Sequence, residues 1–239
     1  MKAMLLAAGL GTRLKPWTDQ HPKAMALVNG RTLLQRNIQY LQSFGIKDVI
    51  INVHHFADQI ISAIKENKGW GSNVTISNER DAVLETGGGL KLASWFFENE
   101  NCFVVMNVDV LTNMALDEMI DFHLSAGPVA TLATTHRNTS RYFLFNEENV
   151  LCGWQNMKTG DEKIPRASAK LQPRAFSGIH VINPKIFALM QSAEKKFSMV
   201  DFYLSICKTE NIFSFAHDAS GFIDAGNPET FKMAQLLFP

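Results

Sequence analysis

A short apolar run closes on two glycines, a threonine and an arginine: Leu6-Ala7-Ala8-Gly9-Leu10-Gly11-Thr12-Arg13-Leu14. Glycine lets the backbone turn sharply and leaves its N–H groups open to an anion, with no Cβ in the way. Arg13 and Lys23 add fixed positive charge beside that cradle. These residue types suit a polyphosphate, because a triphosphate carries about four negative charges and is met by two cations plus a metal ion. Two well-known phosphate motifs fail on spacing. Leu14 stands where the dinucleotide fingerprint needs its third glycine, and no GxxxxGK[ST] string occurs.

Further residues invite the same question. Asp109 follows the apolar run Cys102–Val108, so it belongs at the tip of a buried strand, where open α/β sheets bind ligands. Leu84-Glu85-Thr86-Gly87-Gly88-Gly89 sets three glycines in a row ahead of an expected helix. That run is costly in chain entropy and points to close approach by something flat or large. Asp224 lies 115 residues beyond Asp109, and the two carboxylates meet only if the sheet brings both strand ends together. His54 and His55 are adjacent on an extended chain and point to opposite sides, which does not suit a metal pair.

The elements that must position these groups alternate through residues 1–135. Strands are read at Lys2–Ala8, Asp48–Val53, Asn73–Ile76, Cys102–Val108 and Val129–Thr134. Helical stripes lie between them at Leu33–Phe44, Ile60–Ile64, Gly89–Phe97 and Leu116–Leu124. Such alternation predicts a mostly parallel sheet with helices on both faces. Residues 136–239 read differently, with short strands at Tyr142–Phe145, Val150–Trp154, Ala175–Ile182, Ile212–Phe215 and Phe222–Asp224. Helices are expected near Pro184–Gln191, Val200–Lys208 and from Pro228 to Leu237, and the polar stretch Asn156–Pro173 reads as a mobile loop. The chain is thus expected to be one domain, a first half (1–135) that carries the glycine cradle and a second half on the same sheet (136–239).

Composition narrows the function. Lysine plus arginine equals aspartate plus glutamate at 23 each, without the basic excess of a nucleic-acid binder. Hydrophobic residues make up 46% of 239 residues, enough for a sizeable core. No apolar run approaches the length of a membrane span, and no signal peptide is read at the N-terminus, so the expected compartment is the cytoplasm. Cys102, Cys152 and Cys207 are too far apart for a thiolate zinc site and are expected as reduced, buried thiols.

The string from Leu6 to Leu14 with Pro16, followed by Pro22-Lys23 and Met25, resembles the signature of the sugar-1-phosphate nucleotidyltransferases, and the resemblance covers essentially the whole chain. It implies a Rossmann-like three-layer α/β sandwich with a small β-rich lobe for the sugar. It also implies that Leu6, Ala8, Gly9, Gly11, Thr12 and Arg13 hold a nucleoside triphosphate, with Lys23 beside the α-phosphate. Glu85, Gly87 and Gly88 would lie against the nucleobase and ribose. Asp109 would be one carboxylate on Mg²⁺, although Val108 stands where the family usually has glycine. Phe222-Ile223-Asp224-Ala225-Gly226-Asn227-Pro228-Glu229 resembles the family's W-x-D-x-G-x-P-E, which makes Asp224 the second. Phe176-Ser177-Gly178-Ile179 resembles the segment bordering the sugar, so Asn107, Ser177 and Gly178 are expected there. Many relatives carry a Glu-Lys-Pro lysine upstream. Lys163, Lys158 and Lys170 are equal contenders for it, and Arg137 and Arg141 are either sugar contacts or surface charges.

The implied reaction joins an NTP and a sugar 1-phosphate into a nucleotide-sugar and pyrophosphate, by a monomer or a homodimer. Glu85-Thr86 with the three glycines looks most like the short bacterial uridylyltransferases acting on N-acetylmuramate 1-phosphate, so UTP is the expected donor, in cell-wall precursor supply. The alternative is a guanylyltransferase using GTP with mannose or heptose 1-phosphate, in which Glu79 or Asp81 would accept from a guanine edge. A choline-phosphate cytidylyltransferase is a more distant relative. A catalytically dead nucleotide-sensing subunit is a further alternative, against which Arg13, Lys23 and both aspartates speak. Longer relatives carry an added β-helix domain; this chain ends soon after the second aspartate, so neither that module nor its acetyltransferase activity is expected.

Overall fold

Alternation within β1 (Lys2–Leu6) sets the architecture. Ala3 and Leu5 face one core, and Met4 and Leu6 the other, as a period of two requires. The structure is a computed structural model that describes residues 1–79 and 83–239. After the ribbon β2 (Leu27–Val28) and β3 (Arg31–Thr32) come α1 (Leu33–Ser43), β4 (Asp48–Val53), α2 (Ala57–Glu66), β5 (Asn73–Asn78) and α3 (Glu85–Leu92). They are followed by β6 (Phe103–Asn107), β7 (Val110–Thr112), α4 (Leu116–Ala126), β8 (Ala130–Thr135), β9 (Arg141–Phe145) and β10 (Leu151–Asn156). The chain continues through β11 (Glu162–Lys163), β12 (Gln172–Ile182), α5 (Ile186–Leu189), α6 (Met199–Ile206), β13 (Ile212–Ala216), β14 (Phe222–Asp224) and α7 (Pro228–Leu237).

Ten strands form one mixed sheet in the order β11-β10-β9-β12-β6-β1-β4-β5, with β8 and β13 branching from β12. β6, β1, β4 and β5 are parallel, and β12 joins β6 antiparallel. The apolar stripes of α1, α2 and α4 cover one face through Ile38, Leu41, Ile60, Ile64 and Met119. Leu90 of α3, Ile186 of α5 and Phe202 and Tyr203 of α6 cover the other. This is the expected three-layer α/β sandwich, and its second half extends the same sheet. Cys102, Cys152 and Cys207 are free and buried, and burial pushes the Cys102 and Cys207 thiols up to about 11. No helix among the described residues is long and apolar enough to cross a membrane.

Two expectations are corrected. The stretch Asn156–Pro173 is not one loop. Its Glu162–Lys163 pairs with β10, Gln172 already belongs to β12, and Arg166 ties the segment down by donating to the carbonyls of Cys207 and Glu210. The three glycines do not precede a helix but lie inside α3. Close packing outweighs their low helix propensity, because the Gly87 and Gly88 N–H groups both donate to the Phe197 carbonyl, at 2.9 and 3.2 Å.

Candidate active site

The C-terminal ends of β1, β4 and β6 open into a cleft of about 300 Å³. The loop after β1 forms one wall. Gly11 takes φ +63°, where a side chain would be strained, and a Cβ there would lie 3.0 Å from Thr18 Cγ2. Thr18 Oγ1 donates to the Gly11 carbonyl at 2.9 Å and fixes the turn. The N–H groups of Gly9, Gly11 and Thr12 have no acceptor among the described residues. Unspent donors on a wall of a cleft are what an anion needs.

Lys23 comes from the one-turn segment Lys23–Met25 and is buried, its ammonium ion-paired with Asp109 Oδ2. Asp109 follows β6, and its carbonyl accepts the Ala225 N–H at 2.8 Å. The three-residue ribbon β7–β14 sets Asp224 opposite Val110. That ribbon is what joins two acids 115 residues apart in sequence. Asp224 Oδ2 lies 3.9 Å from Arg13 Nη2, while Oδ1 is buried with no hydrogen-bond partner. Burial, then the charge of Asp109, raises the Asp224 pKa, and Lys23 and Arg13 oppose the rise. At Gly226 a Cβ would lie 2.5 Å from both Arg13 Nη2 and Asp224 Oδ1, so a side chain there would displace the ends of both.

A buried orphan oxygen next to a second carboxylate fits a divalent cation. Mg²⁺ takes one or two carboxylates and completes its shell with water and phosphate oxygens. Asp109 and Asp224 would supply the protein's share; no group of three or more His, Cys, Asp or Glu with metal-site geometry occurs among the described residues.

The opposite wall was less visible in sequence. Asn52 Oδ1 accepts the Ala7 N–H at 2.7 Å, and Asn52 Nδ2 donates to Glu79 Oε1 at 2.7 Å. Glu79 is buried against Gly89, where a Cβ would be 2.5 Å from Oε1, and desolvation raises its pKa. Asn52 is not among the residues expected at the site, but a polar residue inside Asp48–Val53 is a signal, because a buried amide must find partners. Asp81 lies outside the described residues.

Leu6, Ala8, Gly9, Gly11, Thr12, Arg13, Lys23, Glu85, Asn107 and Asp109 line the cleft together with Gly226; Asp224 is not itself a lining residue and reaches the site through its contact with Arg13. Gly87 and Gly88 are not on that wall; a Cβ on either would collide with the segment Lys195–Phe197 of the chain itself. Ser177 and Gly178 occupy a bulge in β12. A Cβ on Gly178, at φ +75°, would be 2.7 Å from Asn107 Nδ2, so the bulge abuts the end of β6. Lys163 and Lys170 pair with Asp201 and Glu147, and Lys158 is exposed.

A family model described as nucleotidyl transferase matches residues 2–237. The mannose-1-phosphate guanyltransferase of Saccharomyces cerevisiae is 27% identical over 246 residues, covering 100% of this chain and 64% of that protein. The chain therefore spans a little under two thirds of the length of the curated relatives it matches. Among solved structures, HddC from Yersinia pseudotuberculosis, crystallised with GMP-PN, has TM-score 0.80 at 24% identity and covers 100% of this chain and 99% of its own. UDP-glucose pyrophosphorylase from Acinetobacter baumanii has TM-score 0.79 at 18% identity, covering 98% and 92%. These likenesses establish the fold.

Proposed function

The chain belongs to the nucleotidyl transferase family, and from that premise we propose that it joins a nucleoside triphosphate to a sugar 1-phosphate, releasing pyrophosphate and leaving a nucleotide-sugar. The observation that carries this reading is the meeting of Asp109 and Asp224 beside uncommitted N–H donors, with Lys23 and Arg13 as their partners. A phosphate oxygen of the sugar attacks the α-phosphorus. The new P–O bond forms as the bond to the β-phosphate breaks, and the electron pair leaves on pyrophosphate. No protein base is required, because the attacking phosphate is already ionised. The work left to the protein is positioning and neutralising anions.

The Gly9–Thr12 backbone would hold the polyphosphate, Arg13 would neutralise its outer phosphates, and Lys23 would face the α-phosphate as charge builds. Asp109 and Asp224 would hold Mg²⁺, which when bound screens the reacting phosphates from one another. Leu6, Ala8 and Glu85 would border the nucleoside, and Asn107 with Ser177-Gly178 the sugar.

GTP is the donor best supported. The curated relative named above is a mannose-1-phosphate guanyltransferase. The buried carboxyl of Glu79 on the cleft wall suits guanine, which offers adjacent N1–H and N2–H donors, whereas uracil offers one N–H between two carbonyls. The uridylyl reading rests on Leu84–Gly89 alone.

Pyrophosphate release tests this across four NTPs, each with mannose 1-phosphate, glucose 1-phosphate and N-acetylmuramate 1-phosphate, in the presence of Mg²⁺. Turnover with GTP is expected. Turnover confined to UTP would move the donor assignment to the uridylyl reading, and no pyrophosphate from any pair would overturn the reaction.

A further inference from the structure

Setting a sugar phosphate against an α-phosphate brings two anions together, and the acceptor's phosphate needs a cation of its own. Of the cations of the cleft, Lys23 is ion-paired with Asp109, and Arg13, exposed and 3.9 Å from Asp224, is the one assigned above to the outer phosphates of the triphosphate. The lysines of residues 156–173 are no better placed. Lys163 lines the same second cavity as Arg137 but is exposed and paired with Asp201 at 3.2 Å, and Lys170 pairs with Glu147 at 2.9 Å on the surface.

Arg137, between β8 and β9, is placed differently. It is half-buried, and its guanidinium is held from several sides. Nη1 donates to Thr135 Oγ1 at 2.9 Å and to Ser177 Oγ at 3.2 Å, with the Ala175 carbonyl at 3.4 Å. Nη2 donates to the Phe176 carbonyl at 2.5 Å. A guanidinium carries five N–H donors. Those on Nε and one on Nη2 have no acceptor among the described residues. Two unspent donors on a fixed guanidinium match the oxygens of a phosphate.

Its position fits as well. Arg137 Cζ lies 4.6 Å from the centre of the Phe222 ring. Phe222 and Asp224 alternate with Ile223 along β14, so their side chains share a face of the ribbon. The guanidinium thus stands on the Asp224 side of β14 and touches Ser177, the residue expected at the sugar. It also lines a second cavity, of about 340 Å³, with Arg141, Tyr142, Trp154 and Phe176. Ser177 Oγ is anchored from its other side by His217 Nε2 at 2.8 Å, so the arginine rests on a rigid frame. Burial lowers the Arg137 pKa while the charge of Asp224 opposes that. An incoming dianion relieves the same desolvation.

We propose that Arg137 binds the phosphate of the sugar 1-phosphate and holds it beside Asp224 for attack. The inference rests on the reaction proposed above. Initial-rate kinetics on the full chain test it, comparing wild type with Arg137→Gln and Arg137→Lys, using GTP or whichever NTP the wild type accepts. Arg137→Gln is expected to raise KM for the sugar 1-phosphate by about 10- to 100-fold, the value of a charge-assisted hydrogen bond. KM for the NTP and the melting temperature should stay near wild type, and Arg137→Lys should recover part of the loss. A KM for the sugar 1-phosphate within about twofold of wild type in Arg137→Gln overturns the proposal. So does a rise of both KM values together with a fall in melting temperature in both variants, which would mark Arg137 as a strut. If the wild type itself releases no pyrophosphate with any pair, the reaction fails first and this assignment with it.

Discussion

At Gly9 a Cβ would meet no atom within 4 Å, whereas at Gly88 it would run into the Lys195 carbonyl. Gly9 lines the cleft and Gly88 sits behind Glu85 and Thr86, which line it; both glycines imply close approach. The approaching partner differs. Around Gly9 the space is open and the neighbouring N–H groups are unspent, so the residue makes room for a ligand. Around Gly87 and Gly88 the space holds Lys195–Phe197, and the N–H groups are already bonded to Phe197. The second cluster makes room for the protein itself. It seats α3 so that Glu85 and Thr86 reach the cleft while the glycines stay behind them.

Two substitutions separate these roles. Gly88→Ala forces a backbone carbonyl to move and should cost about 2–3 kcal/mol, lowering the melting temperature by roughly 5–10 °C. A calorimetric scan checks this, and an unchanged midpoint would erase the contrast. Gly9→Ala should leave the melting temperature alone, because the site is open and its φ lies outside the left-handed region. Its effect should appear in NTP affinity, weakened by about tenfold, one charge-assisted N–H contact. Titration with the preferred NTP, without acceptor, measures it. A stability loss with normal affinity would mean that Gly9 serves the fold.

The contrast also explains what could be read from the sequence. Glycines encode backbone geometry locally, so the Gly9–Arg13 cradle was legible, as was Asp109 at the end of an apolar strand. The triple glycine announced close packing but not its partner, since Phe197 lies more than a hundred residues away. The β7–β14 ribbon is three residues long, too short to show a period, yet with the Ala225 N–H to Asp109 carbonyl bond it brings Asp224 to Asp109. The chain Ala7–Asn52–Glu79 and the seat of Arg137 depend on pairings between distant segments, so the sequence can mark Asn52 as a polar residue in an apolar strand but cannot name its partners. The segment Glu162–Lys163 reads as loop for the same reason: its structure comes from pairing with β10, not from its own composition.

Asp224 is held beside Asp109, from a distant part of the chain, at a cost to the fold and in the service of the reaction. Asp224→Asn tests it with two readouts. Burial and the charge of Asp109 disfavour the ionised Asp224, so the neutral amide should leave the melting temperature equal or higher. Pyrophosphate release at saturating NTP, sugar 1-phosphate and Mg²⁺ should fall by about 10³-fold. Turnover within tenfold of wild type, or a lower melting temperature, would contradict the account.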